Sequence, residues 1–365
     1  MKKKIYNQEN SIKCTFKNYY MLSTLRSKTE STNEMTEKLK SNNNKNNKNY
    51  FCSKENMQKF INENCPTFNE QFELLNYVKS GSIGYVYEGK NKKGNYTQKY
   101  AIKFCIKKKE NDEKENKSKY QEIAINKKLH HKNVNQILAF IKMKDGSFFS
   151  VLEYGKHRDI DYFLNNLLKK RTLSETIILY LTKQILDGLE YLHRCKIIHM
   201  DIKEGNILID AELNPKLIDF SVSCSFAEFD PNDTVKYPRV GTSRYIAPEI
   251  ENRTQMKIKD GEKIDIYSLG VTIYHLAFGV YPYISNKEVL EFPKNCKISN
   301  MFKDFMTKML ERDYNKRIGI KEALKHPWIK GWDILEEEKY NISCLENFLI
   351  KLVTDGVMKF NEYIK

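Results

Sequence analysis

The sequence predicts an α+β fold with a small β-rich front and a larger helical back, on three observations. Between Phe72 and Tyr154, short runs rich in β-branched and aromatic residues alternate with turn residues. After Arg171 the apolar residues take the period of a helix, with Ile177, Leu181, Ile185, Leu189 and Leu192 on one face. A chain of 365 residues is long enough for two lobes with tails.

Residues 1–71 are rich in Asn, Lys, Ser and Glu, and Ser41 to Asn49 is low-complexity. Such composition buries too little apolar area to offset chain entropy, so a largely disordered extension is expected, with Tyr19 to Leu25 as an isolated apolar cluster. The main domain is expected over 72–330. Its strand-like runs are Phe72–Lys79, Tyr85–Gly89, Lys99–Cys105, Ile137–Met143 and Phe148–Tyr154, read as a small antiparallel sheet. A charged stretch, Lys107–Lys119, interrupts them and leads into a helical pattern over Gln121–Leu129. Further helices are expected near Asp265–Phe278 and Met301–Leu310, and the β-rich and α-rich parts meet near Glu153. Residues 331–365 carry Leu345, Phe348, Leu349, Leu352 and Val353 at one-face spacing, which predicts a helical extension.

Composition narrows the class. Hydrophobic and charged fractions of 40% and 30% are those of an ordinary globular chain. No window supplies the ~18 apolar residues of a membrane span. Met1-Lys2-Lys3-Lys4 leads into polar residues, so neither a secretory signal nor, with Lys2 second, myristoylation is expected. The 8 cysteines show no paired or metal-type spacing, which points to a reducing compartment, cytosol or nucleus. The net charge of +15 comes from lysines dispersed along the chain, a solvated surface more than a nucleic-acid footprint. A monomer is the expected state.

Three groups of residues carry chemistry. Val78-Lys79-Ser80-Gly81-Ser82-Ile83-Gly84-Tyr85-Val86 is a glycine-containing turn between two strands, where backbone N–H groups can approach phosphate oxygens. Lys103 ends the alternating run Tyr100-Ala101-Ile102-Lys103, and Glu122 on the following helix is its candidate ion-pair partner. The segment His199 to Leu208, with Lys216 to Ser221 after it, supplies Asp201, Lys203, Asn206 and Asp219. Phosphoryl transfer needs little covalent chemistry from a protein. It needs cradled phosphates, a metal held by oxygen donors and a carboxylate aimed at the attacking hydroxyl. Asp201 suits the last role, Asn206 and Asp219 the metal, and Lys203 the charge developing on the transferred group.

In this pattern the chain resembles a eukaryotic-type serine/threonine protein kinase over about Phe72 to Lys330. The resemblance extends to Gly241-Thr242-Ser243-Arg244-Tyr245-Ile246-Ala247-Pro248-Glu249, to Asp265-Ile266-Tyr267-Ser268-Leu269-Gly270, and to Arg317 followed by His326-Pro327-Trp328-Ile329. It implies the two-lobed kinase fold, ATP and Mg2+ as cofactors, and protein substrates. It also implies ATP-binding roles for Val78 to Val86, Ala101, Lys103, Glu122 and Leu208, adenine contacts at the backbone from Glu153 to Gly155, and Leu152 guarding the space behind. Asp159 would meet ribose or a basic substrate residue, Glu249 and Arg317 would form a buried ion pair, and His199 would be architectural. Lys203 and Thr242 match the serine/threonine branch.

Four residues depart from that pattern. Lys79 replaces the first glycine of the phosphate loop, Ser221 the glycine of Asp-Phe-Gly, and Asn126 an apolar residue expected to pack on Phe220. Met200 replaces the arginine of His-Arg-Asp, which in many kinases pairs with an activation-loop phosphate. Pro238 also occupies a usual phosphosite, so activity independent of activation-loop phosphorylation is expected. Gly205 stands where arginine-directed kinases carry glutamate, which argues against arginine-directed substrates. A pseudokinase scaffold is the rival these departures motivate. The retention of Lys103, Glu122, Asp201, Asn206 and Asp219 opposes it, and the Gly-Thr to Ala-Pro-Glu segment opposes a small-molecule kinase.

Overall fold

The computed structural model of the protein describes residues 50–80, 84–93, 98–107, 122–168, 172–284, 289–294, 296 and 298–331. The chain forms two compact units. Among the described residues, one holds those up to Ile123 together with Gln136–Tyr154; the other holds Ala124–Asn135 and those from Gly155 onward. The β-to-α transition expected near Glu153 therefore coincides with a unit boundary.

In the first unit, β1 (Phe72–Ser80), β2 (Tyr85–Asn91), β3 (Lys99–Cys105), β4 (Ile137–Lys142) and β5 (Phe148–Glu153) form one antiparallel sheet in the order β1-β2-β3-β5-β4. The period of two decides which side chains are buried. On β3, Tyr100, Ile102 and Phe104 enter the core, which leaves Ala101 and Lys103 on the opposite face. Phe68, Phe72, Phe104 and Phe149 close that core, with ring centroids 5.2–6.3 Å apart.

Residues 50–71 correct the expectation of a disordered extension reaching position 71. Lys54–Asn64 form helix α1, capped by Ser53, whose hydroxyl accepts from the Asn56 N–H. Met57 and Ile61, four residues apart, are completely buried in the core of the sheet. The Tyr87 hydroxyl on β2 donates to the carbonyls of Phe51 (2.7 Å) and Ser53 (3.0 Å). Burial of each of these apolar side chains contributes about 1.5–3 kcal/mol, enough to order a segment whose average composition is polar. The asparagine-rich stretch ends just before it. The C-terminal helix expected over 331–365 lies outside the described residues beyond 331.

In the second unit, helix α2 (Glu175–Arg194) starts at an N-cap Ser174 and buries all five apolar positions named from its period. Helix α3 (Glu262–Phe278) is apolar almost all round, as a helix through the middle of a core must be. It stops at Gly279, whose φ of +68° forms a left-handed cap. Helix α4 (Asn300–Met309), capped by Ser299, buries Phe302, Phe305, Met306 and Met309. Two short strands, β7 (Ile207–Ile209) and β8 (Pro215–Leu217), make a hairpin. Residues Ala124–Asn135 belong to this unit because Asn133 and Asn135 exchange backbone hydrogen bonds with Leu217, and the Asn133 amide donates to Gln184 and the Pro215 carbonyl. Strand β6 (Ile197–Ile198) pairs with β9 (Cys224–Ser225).

Glu249 and Arg317 form the buried ion pair expected of them, bidentate at 2.7 and 2.9 Å. Arg317 also donates to the carbonyls of Glu311 and Lys263, so its guanidinium is nearly saturated. Removing one partner strands the other in the core. Arg317→Met should therefore destabilise the protein by about 3–5 kcal/mol, read as a lower urea midpoint; an unchanged midpoint would contradict a buried, compensated pair.

Candidate active site

In the first unit, Lys103 projects from β3 and its ammonium donates to both Glu122 oxygens, at 2.7 and 2.9 Å. Their side chains are 15% and 9% exposed, so the pair is largely shielded from solvent. Register places Lys103 opposite Val86 on β2 and Ser150 on β5. Val78, Lys79 and Ser80 lie on β1; Lys79 pairs with Val86 and Ser80 with Tyr85. Gly84 has a steric reason to be glycine: a Cβ there would sit 2.2 Å from the Phe104 carbonyl oxygen. Gly81, Ser82 and Ile83 fall outside the described residues. Ala101 pairs with Leu152 across β3 and β5, and Glu153 ends β5 with its carboxylate accepting from the Gln136 N–H.

The second unit gathers the other residues around one loop. The Asp265 carboxylate, fully buried at the start of α3, accepts the N–H groups of His199 and Met200, each at 2.9 Å, and meets His193 Nε2 at 2.8 Å. These bonds hold Met200 at φ +70°, a left-handed conformation costly for a side chain of this size. The chain then delivers Asp201, Lys203 and Asn206 to one place. Asp201 Oδ2 accepts from Lys203 Nζ and Asn206 Nδ2, both at 2.8 Å. Asp201 Oδ1 accepts from the Thr242 N–H and hydroxyl, also 2.8 Å each. The β7–β8 hairpin brings Asp219 alongside, since the Ile218 N–H donates to the Asn206 carbonyl.

His199 behaves as architecture. Its Nε2 meets the Ile218 carbonyl at 3.0 Å and its ring lies 5.2 Å from that of Phe220. Asp159 caps the turn Ile160–Tyr162 by accepting the Tyr162 N–H. Gly155 sits against Leu208, where a Cβ would come within 3.1 Å of the leucine side chain. Asn126, polar where an apolar residue is expected, is buried and donates to the Asn135 carbonyl at 3.0 Å. Ser221 donates its N–H to Asp219 Oδ1 at 3.4 Å.

Met200 is 4% exposed within an apolar cluster with Ile198, Tyr237, Ala247, Ile250, Met256 and Ile264. Strand β10 (Thr234–Lys236) pairs with β11 (Gln255–Lys257), and the buried Tyr237 donates its hydroxyl to the Ile258 carbonyl. Burial pushes the Tyr237 phenol well above its ordinary value, so it stays protonated as a donor. At Gly241, φ is +97° and a Cβ would lie 2.6 Å from the Met200 carbonyl, so only glycine lets this segment approach the loop.

Asp219 and Asn206 are the residues here that could offer oxygen donors to a hard cation. Asn206 spends its amide N–H on Asp201, which leaves its carbonyl oxygen as acceptor. Among the described residues there is no cluster of three or more His, Cys, Asp or Glu suited to a metal. One carboxylate and one amide oxygen are nonetheless a donor set that fits magnesium, which takes its remaining ligands from phosphate and water.

The sequence motifs include Asp265 and Thr242 but assign neither a role at Asp201. A lone aspartate inside the apolar run of α3 was the available signal for the first; the second needed tertiary geometry.

The family described as "Protein kinase domain" matches residues 72–329. Calcium-dependent protein kinase 4 of Plasmodium berghei (strain Anka) is 28% identical over 305 residues, covering 79% of this chain and 54% of that protein. Calcium-dependent protein kinase 4 of Plasmodium falciparum (isolate 3D7) is 28% identical over 303 residues, with the same coverage of 79% and 54%. The chain thus spans about half the length of the curated relatives it matches.

If Asp265 holds the loop, Asp265→Asn should expose the loop to faster hydrogen exchange at His199 and Met200, whose N–H groups it accepts, and cost about 1.5–3 kcal/mol of stability, the scale of a hydrogen bond to a charged group. Exchange at wild-type rates would show that other contacts suffice.

Proposed function

This chain belongs to the protein kinase domain family, and from that premise we propose that it transfers the γ-phosphoryl group of ATP to serine or threonine hydroxyls of protein substrates. The observation that carries the reading is the Asp201 carboxylate, fixed by Thr242, Lys203 and Asn206 in one orientation. An incoming alcohol donates its hydrogen bond to this carboxylate, which orients the oxygen for attack and takes up its proton. Lys203 Nζ, already beside Asp201, faces the transferring group and offsets its negative charge. Lys103, oriented by Glu122, grips the α- and β-phosphates. Asp219 and Asn206 would hold magnesium, which supplies further neutralising charge to the phosphates. The serine/threonine preference is supported by Lys203 and by the Thr242 hydroxyl that shares Asp201 with it.

ATP turnover on a generic protein substrate tests this. Asp201→Asn should lower kcat about 10²–10⁴-fold, the range for loss of a positioned base, and Lys103→Met should lower turnover severely as well. Equal residual signal in wild type and both variants would favour a scaffold that binds partners and transfers nothing.

The activation segment is anchored by the apolar cluster around Met200, where an arginine would have needed a phosphate partner. Activity is then independent of phosphorylation in this segment. Exhaustive phosphatase treatment, verified by mass spectrometry at Thr234 and Tyr237, should leave the initial rate unchanged; a large loss mapped to either residue would refute the apolar anchor. Free thiols at Cys65 and Cys105 in the cores suit a reducing compartment, and cytosol or nucleus is the proposed location.

A further inference from the structure

Beside Asp201 lies a second charged cluster that the transfer roles leave unused. Glu204 is buried in the same loop, where a lone carboxylate would be costly. Both its oxygens are engaged: the Tyr245 hydroxyl donates to Oε2 at 2.6 Å, and His275 Nδ1 meets Oε1 at 2.8 Å. Burial and the adjacent carboxylate push the Tyr245 phenol far up, which keeps it a donor. His275 stacks on Tyr281, with centroids 4.4 Å apart and planes at 10°. The Arg244 guanidinium lies 4.6 Å over the same Tyr281 ring. Arg244 also follows by two positions the Thr242 that makes both bonds to Asp201 Oδ1, so the stack sits next to the acceptor position.

Glu204 turns its carboxylate inward onto Tyr245 and His275, and Lys203 Nζ is paired with Asp201, whereas Arg244 is exposed. Gly205 contributes no side chain, and a Cβ there would meet only Lys203 Cε, at 4.0 Å. Among the described residues no carboxylate bonds Arg244; Glu251, the nearest exposed acid along the chain, is held by Arg239. A guanidinium pre-ordered on an aromatic ring is suited to bidentate capture of carboxylate or phosphate, and it repels a basic side chain.

We propose that Arg244, seated on Tyr281 with His275 and Lys203 nearby, selects protein substrates that carry an anionic side chain close to the accepting hydroxyl. The assignment rests on the phosphoryl-transfer reading of Asp201. It gives the expectation drawn from Gly205 a positive form: substrates are favoured for their acidity, beyond merely lacking a need for arginine.

Four serine peptides, identical except for Asp, phosphoserine, Ala or Arg flanking the acceptor, test it with the whole 365-residue chain. Wild type should show kcat/KM highest for an anionic peptide and lowest for the arginine one, with the ratio shrinking in ~0.5 M salt as charges are screened. Arg244→Gln should reduce the anionic-to-arginine ratio about fivefold, the scale of an exposed ion pair, and Arg244→Glu should reduce it further. The aspartate and phosphoserine arms tell which anion is preferred. Preference for arginine in wild type, or a ratio unmoved in Arg244→Glu, overturns the assignment. Transfer without charge preference removes only the role of Arg244, whereas transfer to none of the four removes the phosphoryl-transfer reading with it.

Discussion

A carboxylate buried in an otherwise apolar helix holds the loop on which the site depends. Asp265 accepts two consecutive backbone N–H groups, and without them Met200 would have little reason to stay in a left-handed conformation. That backbone turn sets the direction of Asp201. Because Asp265 sits on α3, in the middle of the second unit's core, the loop inherits the rigidity of the packing around it. The charge of Asp265 tolerates burial only because its oxygens are taken up by these donors and by His193.

The same economy recurs around the loop. Each buried charge in this region has a dedicated set of partners: Glu249 has Arg317, and Glu204 has Tyr245 and His275. The activation segment follows a different logic. It is fixed by apolar side chains, by a short strand pair and by the close approach of Gly241 to the Met200 carbonyl, none of which depends on a charge added after synthesis. Methionine at position 200 fits this logic, since its side chain fills the cluster where a guanidinium would have been left without a partner.

The glutamate of the loop, Glu204, shows how burial redirects a charge. As a sequence feature it would count as an acid beside Asp201 and suggest attraction for basic substrates. Its inward bonds cancel that effect, while Arg244 is exposed over the Tyr281 ring of the same cluster. The sign of the surface field near the acceptor therefore depends on side-chain orientation as much as on composition.

Strand and helix periods and turn residues made the sheet, α2, α3 and α4 legible in the sequence, because those signals are local and repeat along the chain, and the motif order singled out the residues proposed for the site. The β-to-α transition at Glu153 was legible for the same reason. Helix α1 was not, since the average composition of residues 1–71 hides a few apolar side chains that gain their value only against a sheet formed later in the chain. The clamp of Asp265, the sharing of Asp201 by Thr242 and Lys203, and the inward turn of Glu204 join positions far apart in sequence. Sequence by itself determined which residues could do phosphoryl chemistry; the tertiary structure decided which of their oxygens and nitrogens face one another, because hydrogen bonding is set by distance and direction, and neither is written in residue order.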